Sequence, residues 1–222
     1  MIVLSPYAYV PFMANLWGLT TKKNLNQRNG GKMNLDIIYN EDCYEGIKKI
    51  PDKSIDLIVT DPPYEIEGLS DKPHGIFSKN GHTRKYEQEM LKAGLGNGMD
   101  YAILDEYMRI MKTPNIYIWC NKAMILPLLK YFVEERKLNF DIIILNKTNV
   151  PPFTSGHYLK DKEYCLYFWG KGVKINPTFE TGKTVYVTKV NIDDRNKYGH
   201  PTIKPLEIIK NLIENSSEVG GG

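Results

Sequence analysis

Ile55-Asp56-Leu57-Ile58-Val59-Thr60 runs directly into Asp61-Pro62-Pro63-Tyr64, and the fold turns on how these ten residues are read. A short apolar run bounded by a turn signal suits a strand buried on both faces of a parallel sheet. Open α/β sheets bind ligands beyond the carboxyl ends of their strands, so a carboxylate at position 61 is aimed at a site. The two prolines fix φ and carry no N–H, which stiffens the turn and leaves its carbonyl oxygens for other donors. Tyr64 adds a flat ring beside them. Taken alone, the tetrapeptide is an ordinary type I turn with proline after aspartate; the buried run in front of it turns the acid toward a ligand.

An acid, a bare carbonyl and an aromatic plate match a planar group with an NH2 to donate. The exocyclic amine of adenine or cytosine is such a group, and its lone pair is delocalised into the ring. If Asp61 and the Pro62 carbonyl accept its hydrogens, the nitrogen can pyramidalise and the charge that develops on attack is stabilised where it forms. Tyr64 would stack on the base, which has to be flipped out of a duplex to reach such a pocket.

Outward from this stretch the pattern alternates. Residues 35–39 read as a strand, and Asp42 with Glu45 three residues on has the form of a capping box for a short helix to Ile50. Asp100 is placed to cap a helix carrying Ile103, Leu104, Tyr107, Met108 and Met111, before a strand at 115–120. Asn121 caps a helix with Ile125, Leu128, Leu129, Phe132 and Val133 on one face, and strands follow at 141–145 and 163–169. Pro205 opens a last helix through Leu206, Ile209, Leu212 and Ile213. Such alternation predicts an α/β fold: a mostly parallel sheet with helices on both faces, its last strand antiparallel. Residues 65–98 lack periodicity, and a loop of that length is a mobile functional loop or a solvated one.

Length and composition fit one domain, since 222 residues with 42% hydrophobic side chains can bury a substantial core. A net charge of +3 permits nucleic-acid binding without demonstrating it. Cys43, Cys120 and Cys165 form no Cys-x-x-Cys pair and the four histidines have no ligand spacing, so neither a disulfide framework nor a metal site is expected. The cysteines read as reduced and intracellular. Residues 1–19 are apolar but broken by Ser5, Pro6, Pro11 and Asn15, which argues against a membrane span or export signal. The polar 20–32 stretch reads as a linker without regular structure, giving an appendage at 1–32 and a catalytic domain at 33–222, with Met33 an alternative start. Lys171, Lys174, Lys183, Lys189, Arg195, Lys197 and Lys204 outnumber Glu180, Asp193 and Asp194, so 171–204 is either a phosphate-contacting stretch, with 171–199 as the expected DNA-recognition part, or a solvated face.

Asp61-Pro62-Pro63-Tyr64, the strands after it and Tyr198-Gly199-His200-Pro201-Thr202-Ile203-Lys204-Pro205 far downstream together resemble the amino-methyltransferases of DNA in their β-class order. The resemblance covers most of the chain beyond Met33. It implies a Rossmann-like sheet dependent on S-adenosylmethionine, with Asp61, Pro62, Pro63 and Tyr64 catalytic. It also implies that Asp42 borders the cofactor and that Thr202 and Lys204 hold its carboxylate. Double-stranded DNA is the implied partner, contacted through Lys183, Lys189 and Arg195, with 65–98 as a loop folding over it. A bacterial or phage-type cytoplasmic enzyme of restriction-modification is the implied setting. Aspartate at position 61 leans toward adenine N6, leaving open cytosine N4, an RNA or protein amide acceptor, or a non-catalytic DNA-binding remnant. The glycine-rich Asp-Pro-Phe-x-Gly-x-Gly turn of that arrangement has no counterpart in Ser216-Ser217-Glu218-Val219-Gly220-Gly221-Gly222. The sheet is therefore expected to be incomplete at its C-terminal end, with a complementing C-terminal half as partner.

Overall fold

The computed structural model describes residues 2–4, 20–22, 37–39, 42–64, 98–152, 156–198 and 203–217. Its main sheet has the strand order β1 (Ile2–Leu4), β4 (Ile58–Thr60), β5 (Asn115–Cys120), β7 (Lys162–Trp169), β6 (Asn139–Lys147), β8 (Val185–Thr188). All of these strands run one way except β7, which pairs antiparallel with both β5 and β6. The expected reversal at 163–169 is therefore present, but this strand lies inside the sheet and a further strand, β8, forms the edge. A separate parallel pair joins β2 (Thr20–Lys22) to β3 (Ile37–Tyr39).

Two stretches differ from expectation near the N-terminus. Residues 2–4, read as part of an appendage, pair in parallel with β4 in register Leu4↔Thr60. Residues 20–22, read as part of an unstructured linker, form β2. Both segments are short and β-branched, and strand pairing supplies what their sequence pattern does not.

Helices cover both faces. On one lie α1 (Cys43–Ile47), α2 (Ile103–Ile110) and α3 (Lys122–Leu129), whose Ile47, Leu104, Ile110, Met124 and Leu128 pack on Ile58, Ile116, Ile118, Leu166 and Phe168. On the other, α5 (Leu206–Ser216) packs Ile208, Leu212 and Ile213 on Leu57, Val59, Tyr117, Trp119 and Cys165. A further, polar helix, α4 (Ile192–Tyr198), follows β8. Strand alternation explains the division: Val59, Tyr117 and Trp119 point one way while Ile58, Ile116 and Ile118 point the other.

Local signals account for the helix ends. Asp42 caps α1 by accepting from the Tyr44 and Glu45 amides, while the Glu45 carboxylate turns outward to Lys48. Arg109 of α2 donates to the Ile47 and Ile50 carbonyls, tying the carboxyl end of α1 to α2. Asp100 heads the turn before α2 and accepts from the Ala102 amide. The helix headed by Asn121 contains Pro127 and passes into a π-helix at Lys130–Glu135. The extra residue per turn keeps Phe132 in the core, stacked on Phe168 at 4.4 Å.

Candidate active site

Asp61 to Tyr64 leave β4 at the carboxyl edge of the sheet. Pro62 and Pro63 are buried, and no hydrogen bond among the described residues reaches the Pro62 carbonyl. The Tyr64 carbonyl accepts from the Gly98 amide at 3.3 Å. On the side of α1, a small cleft is lined by Cys43, Tyr44, Thr60, Pro62, Pro63, Met99, Ile103 and Tyr107.

The main polar feature is a row of charges along this edge. Lys204, in the short segment before α5, lies with its Nζ 2.9 Å from Asp61 Oδ2 and 3.2 Å from Glu163 Oε2. Glu163 also pairs with Lys147. Because β7 runs antiparallel, its first residues meet the same edge as the last residues of β4 and β6, which gathers Asp61, Glu163 and Lys147. Exposure is 3% at Lys204, 17% at Asp61, 19% at Glu163 and 24% at Lys147, so solvent screens these charges weakly.

Burial pushes the Asp61 carboxyl above its ordinary value, Lys204 draws it down, and Glu163 raises it again; the net shift is upward. For Glu163 burial acts in the same upward sense, but Lys204 and Lys147 together outweigh it and the net shift is downward. Burial raises the Tyr64 phenol well above its usual value, keeping it protonated as a donor.

Lys204 Nζ also stands 5.1 Å from the centre of the Tyr64 ring and 5.5 Å from that of Trp119. The Trp119 Nε1–H is buried and has no hydrogen-bond partner among the described residues, and the buried Tyr64 hydroxyl lies close to Asp61 and Lys204 without a well-formed hydrogen bond to either. Two unsatisfied donors flanking an ammonium form a set that suits a carboxylate-bearing ligand.

The other residues expected at the site are dispersed. Asp42 is exposed and occupied as the α1 cap, and Thr202 lies outside the described residues, as do 199–201 and most of 65–98. Lys183 and Lys189 are both exposed but flank opposite ends of β8: Lys189 at the edge that carries Asp61, Lys183 at the far end, beside Glu180 and Phe179. The side chain of Arg195, in α4, is outside the described residues. Sequence reasoning missed Glu163, Lys147 and Trp119. The two charges occupy strand ends where solvated residues are common, and only the reversal of β7 joins them to Asp61. Among the described residues no group of His, Cys, Asp and Glu is arranged to hold a metal ion, and no helix is long and apolar enough to cross a membrane.

Residues 55–221, more than half of the chain, match the N6/N4-methyltransferase family described as DNA methylase, and this chain belongs to that family. Among its relatives is the Type II methyltransferase M.BamHI of Bacillus amyloliquefaciens, 28% identical over 145 residues that make up 63% of this chain and 30% of M.BamHI. The chain thus spans about a third of that relative's length. The crystal structure of an M1.HpyAVI–SAM complex superposes with a TM-score of 0.53 at 19% identity, covering 81% of this chain and 76% of the other, and so shares the fold.

Proposed function

We propose that this chain transfers a methyl group from S-adenosylmethionine to the exocyclic amine of a base flipped out of double-stranded DNA, adenine N6 in preference to cytosine N4. The carrying observation is the placement of Asp61 at the carboxyl end of β4, next to a proline carbonyl without a partner among the described residues and the Tyr64 ring, with its charge held by buried Lys204. Bound S-adenosylmethionine would supply an activated methyl group on its sulfonium. Asp61 and the Pro62 carbonyl would accept the two amine hydrogens, orient the lone pair and stabilise the positive charge as the N–C bond forms. As the N–C bond forms the sulfonium S–C bond would break, leaving a neutral thioether, and the methylated nitrogen would release its surplus proton to water beside Asp61. Tyr64 would hold the base by its face.

Lys204, the Tyr64 hydroxyl and the Trp119 Nε1–H offer donors for the cofactor's carboxylate, with Thr202 and Asp42 as further proposed contacts. The Asp-Pro-Phe-x-Gly-x-Gly turn, whether on the same polypeptide or on a second one, would complete the adenosine side. Aspartate at position 61 is the feature favouring adenine. The test is Asp61→Ala: transfer of labelled methyl to unmethylated bacterial DNA should fall by about 10²–10³, as for loss of one preorganised stabilising group. Turnover at the wild-type rate would remove Asp61 from the chemistry and the reading with it.

A further inference from the structure

Resting on that reading, we propose that Glu163, braced by Lys147, is a positioning residue for the amine acceptor: it shares Lys204 with Asp61 and keeps the Asp61 carboxylate available to the substrate amine. Lys204 stands between two carboxylates, 2.9 Å from one and 3.2 Å from the other. A buried ammonium with a single carboxylate collapses into a tight contact pair, and an oxygen held in that pair is a poor acceptor for a weakly polarised N–H. A second carboxylate at nearly equal distance divides the attraction. Lys147 then makes the cluster neutral, two ammoniums to two carboxylates, so that Glu163 keeps its charge despite burial.

The strand geometry fixes this arrangement. Leu145 is the cross-strand partner of Glu163, which places Lys147, two residues further along β6, on the same face and within diagonal reach. Glu163 Oε2 faces Lys204 without hydrogen-bond geometry and has no other partner among the described residues. Its role toward Lys204 is therefore the placement of charge. The remaining titratable groups near Asp61 are Tyr64, Cys120 and Cys165, and burial raises all of them, Cys120 to about 12. They stay neutral across the working range, leaving Glu163, Lys147 and Lys204 to set the field at Asp61.

The experiment compares Glu163→Gln and Lys147→Met with wild type in the full chain, by carboxyl-carbon NMR titration of Asp61 and by steady-state transfer to unmethylated bacterial DNA. Glu163→Gln should move the Asp61 titration to lower pH and reduce kcat about tenfold, with KM for DNA within twofold. Lys147→Met should move the Asp61 titration the other way, because Glu163 then leans on Lys204 alone. Shifts of opposite sign are not produced by loosened packing. If neither variant moves the Asp61 titration, or both move it in one direction, the positioning role is wrong. Absence of transfer by the wild-type chain assayed together with the polypeptide that carries the glycine-rich turn would sink the functional reading, and the titration would still decide whether Glu163 and Lys147 set the charge at Asp61.

Discussion

The two ends of the sheet handle buried polar groups in opposite ways. At the carboxyl edge four charged side chains face one another, and two buried donors, on Tyr64 and Trp119, make no well-formed hydrogen bond among the described residues. At the far end the polar groups are neutral and matched. Asn115 Nδ2 donates to the Asp56 and Ser216 carbonyls, Tyr167 donates to Asn115 Oδ1, and Tyr117 shares a 2.6 Å hydrogen bond with Ser216. The Tyr117 and Tyr167 rings stack at 4.1 Å, and Trp169 continues the row. A matched neutral network stabilises the fold and fixes how α5 lies on the sheet; an unmatched charged one retains binding capacity for something outside the chain.

This contrast can be broken at either end. The largest effect is expected for Lys204→Met, which strands the Asp61 carboxylate, leaves Glu163 on Lys147 alone and should lower unfolding free energy by about 3–5 kcal/mol in urea titration. A change under 1 kcal/mol, well below that range, would mean the charged end is better solvated than its burial indicates. Asn115→Ala at the other end leaves the Tyr167 hydroxyl unpaired and should cost about 1–3 kcal/mol while sparing methyl transfer by the folded fraction. Loss of transfer in proportion to loss of stability would confine the damage to folding; a separate loss in the folded enzyme would show that the ends are coupled.

Titration separates the two carboxylates of the charged end. The Asp61 carboxyl is raised by burial, so its acceptor form should be lost, and transfer with it, as pH falls through a value above that of an ordinary aspartate. Glu163 is lowered, so its contribution to stability is complete above the unfolded carboxylate value and lost only as pH falls through its lower folded one. A transfer midpoint at or below the ordinary aspartate value, or a Glu163 midpoint at or above the ordinary glutamate value in an unfolding series, would contradict these directions. The smallest effect concerns β8, whose flanking lysines belong to different ends. If DNA lies across the carboxyl edge, Lys189→Ala should flatten the salt dependence of binding by about one slope unit and Lys183→Ala should leave it unchanged.

Much of this fold was legible because its strands carry their own signal. The runs in β4, β5 and the later part of β7 are largely apolar and buried, and the Pro205 turn opens α5 as its sequence indicates. β8 went unread because Val185-Tyr186-Val187-Thr188 is short and sits among lysines and glycine, and α4 because Ile192–Tyr198 has no apolar stripe. Asp61 was legible as a site residue from its strand and turn. The partnership of Glu163 with Lys204 was not, since it depends on where a reversed strand falls in the sheet order, a matter of tertiary contact with no local signal.

Asp61 and Lys204 are separated by 143 positions in the chain, and this spacing bears on when the site comes into being during synthesis. Translation at roughly 5–20 residues per second delivers β4, β5, β6 and β7 several seconds before the segment that carries Lys204. The sheet can therefore begin to assemble with Asp61 and Glu163 facing each other as like charges, a repulsion that Lys147 only half relieves. Docking of α5 brings the missing cation and the last apolar layer in one event. A nascent chain arrested before that helix emerges should hold its sheet but keep a strained, solvent-open carboxyl edge.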